Sequence, residues 1–228
     1  MNLLIVSATF QEIEPTFDFL KIERQSNKNF YKVDFIGNEI SILIAGIGSY
    51  STVYNLTKLL IDNKFDLIIN IGIAGSFDEN LRIGDIVIVK TETIGDLGIN
   101  DNGTFKTVFD VNFLKPDSFP FQENKLINNF DLYDNKLTKV KTVNALTVNT
   151  VSGETNQIEY LKNKFDVQVE SMEGAGVFYV CLQENIKFIE LRAISNYVKP
   201  RNKEKWETML AISNLNNKLK FFIFELLK

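Results

Sequence analysis

The sequence predicts one α/β domain built on a largely buried mixed sheet. Three observations carry that reading. Strand-length apolar runs alternate with segments of helical period from end to end, no Pro/Gly/Ser-rich linker divides the 228 residues, and 45% hydrophobic against 24% charged residues provide a full core. Residues 3–7 form a short apolar run, hence a strand, and 12–21 bring Ile13, Phe17 and Leu20 to one helical face. Two strand-like runs, 30–36 and 39–45, flank Gly37-Asn38 and predict a hairpin. After the turn Gly46-Ile47-Gly48 a helix is expected over 49–63, capped by Ser49 or Ser51. Leu67-Ile68-Ile69-Asn70 reads as a buried strand, followed by a glycine-rich loop, Gly72-Ile73-Ala74-Gly75. Residues 85–90 are the next strand. From there to about Gln122, turn formers and the spaced Phe105, Phe109, Phe113, Phe119 and Phe121 predict a long segment with a functional job. The second half alternates again: strand 140–148, helix 154–164, strand 167–169, helix 172–185, strand 187–194 and an amphipathic helix over about 203–227.

Composition narrows the chemistry further. The chain has no His, which excludes Ser-His-Asp and Cys-His nucleophiles, His-ligated zinc and imidazole proton shuttles. Catalysis must run on carboxylates, amides and backbone, with no metal or cofactor expected. The single cysteine, Cys181, sits in the apolar stretch Gly176-Val177-Phe178-Tyr179-Val180-Cys181 and reads as a core residue. A formal net charge of −4 without a basic stripe makes nucleic acid an unexpected partner. The N-terminal run lacks a basic leader, and no stretch reaches the roughly 18 apolar residues of a membrane span. The expectation is a cytoplasmic protein without membrane contact.

Individual motifs are modest signals. Ala45-Gly46-Ile47-Gly48-Ser49-Tyr50-Ser51 matches a dinucleotide fingerprint poorly, because Ser51 stands where the third glycine belongs and a hairpin precedes it. It reads as tight strand-to-helix packing, or as backbone amides facing a ligand. No phosphate-binding GxxxxGK[ST] loop exists. Polar residues stand at predicted strand ends, Ser7, Asn70, Ser152 and Asn196, where ligands collect in such sheets. Glu12 is a first-turn carboxylate that complements the helix dipole. Glu173 falls between an apolar strand and an apolar helix, so it is partly buried and needs partners, which the hydroxyls of a sugar would supply. Asn196 by itself is a turn residue.

Taken in order, Glu12, Gly46-Ile47-Gly48, Asn70-Ile71-Gly72-Ile73-Ala74-Gly75, Val151-Ser152-Gly153, Ser171-Met172-Glu173-Gly174-Ala175 and Arg192-Ala193-Ile194-Ser195-Asn196 resemble the purine nucleoside phosphorylase and nucleosidase superfamily over nearly the whole chain. Within it the sequence is similar to the methylthioadenosine/S-adenosylhomocysteine nucleosidases. It is more similar still to the futalosine hydrolases, through Val169-Glu170-Ser171-Met172-Glu173-Gly174, Ile94-Gly95-Asp96-Leu97-Gly98 and the stretch from Asn196-Tyr197-Val198-Lys199-Pro200-Arg201-Asn202 to Trp206. The resemblance implies a three-layer sandwich with a central mixed, partly barrel-like sheet flanked by helices. It implies hydrolysis of a nucleoside N-glycosidic bond, with futalosine releasing hypoxanthine and leaving dehypoxanthine futalosine for menaquinone biosynthesis. It also implies a homodimer or higher homo-oligomer, paired over the active site. Glu12 would serve the water and Glu173 the ribose hydroxyls, with Met172 on the sugar face and Asn196 at the base. Ser195, Ile47, Ala74 and Gly75 would line the substrate. The Phe-rich segment and Arg201 are candidates for the carboxylated aromatic end of futalosine.

The residue types suit that chemistry. Cleavage passes through an oxocarbenium-like sugar while the base leaves with developing negative charge, so help is needed at water, sugar and base. At the position of Asn196 the adenine-specific relatives carry an Asp. A carboxamide can instead donate to a six-position carbonyl while its oxygen accepts from a ring N–H, a pattern that fits hypoxanthine or guanine. No arginine precedes the glycine-rich segment as in the phosphorylases, which favours water over phosphate, although Arg82 and Arg192 remain able to converge on an anion. The alternatives are a 6-oxopurine nucleoside phosphorylase, a methylthioadenosine/S-adenosylhomocysteine nucleosidase and a non-catalytic nucleoside-binding module. A mere binder has no need of Glu12 beside Glu173.

Overall fold

The computed structural model describes residues 1–130, 140–200 and 206–227. The chain opens with β1 (Asn2–Ser7), α1 (Phe10–Leu20), the antiparallel pair β2 (Phe30–Phe35) and β3 (Asn38–Ile44), and α2 (Ser49–Asp62). β4 (Leu67–Ser76) and β5 (Ile86–Ile94) follow, then β6 (Gly98–Asp101), β7 (Thr104–Thr107), β8 (Phe121–Gln122) and β9 (Lys125–Ile127). β10 (Lys141–Thr147), α3 (Thr155–Lys164), β11 (Val169–Ser171), α4 (Gly174–Gln183), β12 (Phe188–Tyr197) and α5 (Thr208–Leu226) complete it.

Ten strands share one sheet, and β12 pairs with both β4 and β5. The path β4-β11-β10-β5 is thereby closed by β12 into a five-stranded mixed barrel, with β1, β3 and β2 extending outward from β4. The expected layers are present. Alternate residues of β1 feed two cores: Leu3 and Ile5 meet Ile13 and Phe17 of α1 and Leu215 and Phe222 of α5, whereas Leu4 and Val6 join Leu56 of α2 and Val177, Phe178 and Cys181 of α4. Burial on both faces explains why these strands read as unbroken apolar runs. No described helix is long and apolar enough to cross a membrane.

The expected Ser49 or Ser51 cap is absent: α2 has Gly48 at its N-cap, with no side-chain cap hydrogen bond. Four further expectations need correction, and three of them shape the site. The glycine-rich loop is strand: β4 continues through Gly72, Ile73, Ala74 and Gly75 to Ser76. Glycine is required because a methyl group at Gly72 would overlap the Arg192 guanidinium, and one at Gly75 would crowd Val198 and the Asn196 amide. β12 likewise runs on past Ile194, with a register irregularity between Ile194 and Asn196 that re-aims the amide. β11 lies two residues later than expected, so Glu170 and Ser171 are strand residues. The long Phe-rich segment contains the β6–β7 hairpin and the β8–β9 edge hairpin, so it is not one continuous loop; Phe109 and Phe121 stack edge-on at 5.2 Å and pack against the core.

Candidate active site

Glu12 is set by the entry to α1. Thr9 is the N-cap, and Glu12 completes a capping box: its Oε2 accepts from the Thr9 backbone N–H (3.0 Å) and hydroxyl (2.8 Å). Oε1 reaches across to β4 and accepts from Ile73 N–H at 3.1 Å. The carboxylate therefore both caps α1 and reaches β4. The cap fixes the carboxylate, and β4 fixes where it points.

Glu173 stands at the N-terminal boundary of α4. Its Oε1 accepts from Gly48 N–H at 2.9 Å, in a turn where Gly46 and Gly48 have φ of 90° and 85°. Its Oε2 lies 4.0 Å from Arg192 Nη1. Burial pushes the Glu173 carboxyl above the usual range, opposed by Arg192 and the Gly48 amide and reinforced by the charges of Glu12 and Glu190. Met172, half-buried, is tied through its carbonyl to the Ser49 hydroxyl at 3.2 Å, and Ile47 is exposed on the glycine turn.

Arg192 binds these groups together. It is 1% exposed, with Nε donating to Glu190 Oε1 at 2.8 Å, Nη1 against Gly72 and Glu173, and Nη2 without a partner among the described residues. Burial opposes its charge, but Glu190, Glu173 and Glu12 outweigh that and hold it protonated. Asn70, expected at a strand end, is instead buried in mid-strand, donating to Glu190 Oε2 at 3.1 Å. Arg82 is exposed and lies outside this cluster.

Asn196 sits farther along the same wall. The Ser195 hydroxyl, 2.8 Å from Asn196 Oδ1 and 3.3 Å from the Ala74 carbonyl, anchors it, and Nδ2 donates to the Tyr197 carbonyl at 3.2 Å. A carbonyl only accepts, so this contact sets which end of the amide is nitrogen. Glu12 meets β4 at Ile73 and Asn196 meets it at Gly75, two residues or about 7 Å apart. Arg201 lies outside the described residues. Ser152 is drawn to a different partner, donating from its N–H (3.0 Å) and hydroxyl (2.5 Å) to Glu170.

A cavity of about 760 Å³ opens beside this wall, between α2, α4 and the turn after β5. Tyr50, Tyr54, Ile61, Leu97 and Tyr179 line it, and it holds none of Glu12, Glu173 or Asn196. The polar convergence, not the cavity, is taken as the candidate site.

A family model described as the phosphorylase superfamily matches residues 2–223. The chain belongs to the phosphorylase superfamily. It is 31% identical over 222 residues to the 5'-methylthioadenosine/S-adenosylhomocysteine nucleosidase of Haemophilus ducreyi, covering 93% of this chain and 92% of that one. It is 29% identical over 189 residues to the futalosine hydrolase of Thermus thermophilus, covering 78% and 79%. Among solved structures, the native futalosine hydrolase of Helicobacter pylori superposes with a TM-score of 0.82 at 19% identity over 99% and 98% of the two chains. The H. pylori nucleosidase variant with 5'-methylthioadenosine in its active site gives 0.81 at 20% identity over 98% of each, and these two likenesses concern the fold. Superfamily membership and the nucleosidase relatives together support nucleoside N-glycosidase chemistry.

Sequence reasoning named Arg192 only as a motif residue able to converge on an anion, and missed its carboxylate partner Glu190 and its place between Glu190 and Glu173. A signal existed: two charges at i and i+2 in the apolar run Phe188-Ile189-Glu190-Leu191-Arg192-Ala193 point to one face of a buried strand and must pair.

Proposed function

We propose that the chain hydrolyses the N-glycosidic bond of a 6-oxopurine nucleoside, and that the nucleoside is futalosine. The observation that carries this reading is the β4 wall, on which Glu12 at Ile73 and Asn196 at Gly75 are spaced as the reacting sugar carbon and the far edge of a purine require. Glu12 takes a proton from water as the new C–O bond forms and the bond to the base nitrogen breaks. Glu173 accepts from ribose hydroxyls with the oxygen that Gly48 does not hold. Negative charge developing on the base is met by Nδ2 of Asn196 at the six-position carbonyl, while Oδ1 accepts from a ring N–H.

Electrostatics favours water over phosphate. Glu12, Glu173 and Glu190 surround a single guanidinium, an arrangement that stabilises a cationic sugar and repels an anionic nucleophile. The exposed Tyr50, Tyr54, Ile61 and Tyr179 form an apolar face beside the site, and a second copy of the chain is the occupant proposed for it. Light scattering reads that mass directly.

The test incubates the purified chain with futalosine, inosine and methylthioadenosine, each with and without phosphate. Free hypoxanthine from futalosine without phosphate is the expected result. Adenine release from methylthioadenosine with futalosine inert would overturn the base assignment in favour of the reading that the 31% relative suggests. An absolute need for phosphate would overturn hydrolysis.

A further inference from the structure

Behind Arg192 stands a second pair of carboxyls that the proposed reaction does not use. Glu92 of β5 and Glu190 of β12 are both 0% exposed. A methyl group placed on Gly174 would overlap Glu92 Oε1 and Glu190 Oε1 together, so the two oxygens share the small space over that glycine. Their other partners are unequal. Glu190 accepts from Arg192 Nε (2.8 Å) and from Asn70 Nδ2 (3.1 Å). Glu92 Oε2 accepts from the Thr147 hydroxyl at 2.8 Å; that hydroxyl in turn accepts from Ala175 N–H at 2.8 Å, so its own proton is committed to Glu92. Glu92 Oε1 has no donor of its own.

Two carboxylates facing each other in a dry interior repel, and one proton between them turns repulsion into a hydrogen bond. The cation and the amide both lie on Glu190, so the proton belongs on Glu92 Oε1, donated to Glu190 Oε1. We propose that Glu92 and Glu190 form a buried acid–carboxylate pair that positions Arg192, and through it Glu173, for glycosidic cleavage. Both are positioning residues, since neither faces the sugar. The chain of contacts is closed: Glu190 holds Arg192, Arg192 faces Glu173, and Glu92 reaches back through Thr147 to Ala175 in the first turn of α4, two residues beyond Glu173. The role rests on the hydrolase reading; the shared proton does not.

Burial and then the neighbouring Glu190 push Glu92 well above the usual carboxylate range. Arg192, Glu173 and Cys181 are the other titratable groups around the pair, with Glu12 behind Arg192; burial pushes the Cys181 thiol up, so it adds no charge at neutral pH. A raised native value means that the proton is held at low pH and lost as pH rises through that value. Its loss adds a second buried anion beside Glu190.

Two arms test the pair. The first is the infrared difference between the wild-type chain and Glu92→Gln at neutral pH, without ligand. A protonated-carboxyl carbonyl band present in wild type and missing from the variant is expected, and its absence from the difference would overturn the shared proton whatever the chain hydrolyses. The second arm compares kinetics. Glu190→Gln lowers kcat about tenfold or more with KM changed less than about threefold, and Glu92→Ala does the same. Glu92→Gln supplies a donor that cannot ionise, so kcat falls less than about threefold at neutral pH and the alkaline limb of the wild-type profile flattens. Equal loss in Glu92→Ala and Glu92→Gln with an unchanged pH profile would reduce the pair to a packing element.

Discussion

Glu12 and Glu173 are both buried carboxylates at one site, yet they are held in different ways. Glu12 accepts three hydrogen bonds, from Thr9 N–H, the Thr9 hydroxyl and Ile73 N–H. Among the described residues the Glu173 carboxylate accepts one, from Gly48 N–H, and faces Arg192 at 4.0 Å. Under the proposed reaction, a base that must meet a water at a fixed place benefits from the rigid mount of Glu12, and a sugar clamp at Glu173 keeps acceptor capacity free for hydroxyls. Burial without full partnering raises the Glu173 pKa.

The sharpest way to break this contrast is Glu12→Gln. The loss of the base should lower kcat by about 100-fold to 10,000-fold while inhibitor affinity, read by calorimetry, stays within about threefold. Equal loss of both would place Glu12 outside the chemistry. Glu173→Gln should lower kcat/KM by about 100-fold, with KM carrying more of the change than in the Glu12 variant, which steady-state kinetics separates. Gly72→Ala tests the shared wall: its methyl group overlaps the Arg192 guanidinium, and a loss of about tenfold in kcat with the fold retained by circular dichroism is expected.

Smaller effects sharpen the same picture. Asn196→Asp should weaken turnover of hypoxanthine nucleosides by about tenfold to a hundredfold, the worth of one mispaired buried group at about 1 to 3 kcal/mol. Glu170 offers a third degree of satisfaction, since burial pushes its carboxyl above the usual carboxylate range while hydrogen bonds from the Ser152 hydroxyl and amide oppose that rise. A carboxyl raised in the native state binds more protons there than in the unfolded chain, so its contribution is present at acid pH and lost as pH rises through the native value. Thermal midpoints should therefore fall from about pH 5 to pH 8, and Glu170→Gln should flatten the decline by a few degrees at most.

The elements of this fold were legible where both faces of a strand are buried. β1, the start of β4 and the β2–β3 hairpin follow from apolar runs and turn residues that answer only to local geometry. Gly72-Ile73-Ala74-Gly75 misled for a physical reason. Glycines read as a loop, but here they leave room for Arg192 and Asn196 from the neighbouring strand, and that demand comes from across the sheet. Strand β12 was cut short at Ile194 for the same reason, because the bulge before Asn196 depends on its pairing with β4. Glu12, Glu173 and Asn196 could be singled out in the sequence because motif order preserves identity. Glu190 and Glu92 were not, and Arg192 was read only as a motif residue able to meet an anion, because a buried charge is defined by partners that spacing along the chain does not reveal.

The sequence by itself determined the α/β alternation, the exclusion of histidine chemistry, and the carboxylates and amide from which the candidate site is proposed, since residue type and period are local properties. The tertiary structure alone decided that β12 closes the barrel, that Glu12 points at Ile73, that the Asn196 nitrogen faces the Tyr197 carbonyl, and that two acids lie against each other behind Arg192. Those facts depend on which backbone donors and charges meet across strands, and only the folded register brings them within hydrogen-bonding distance.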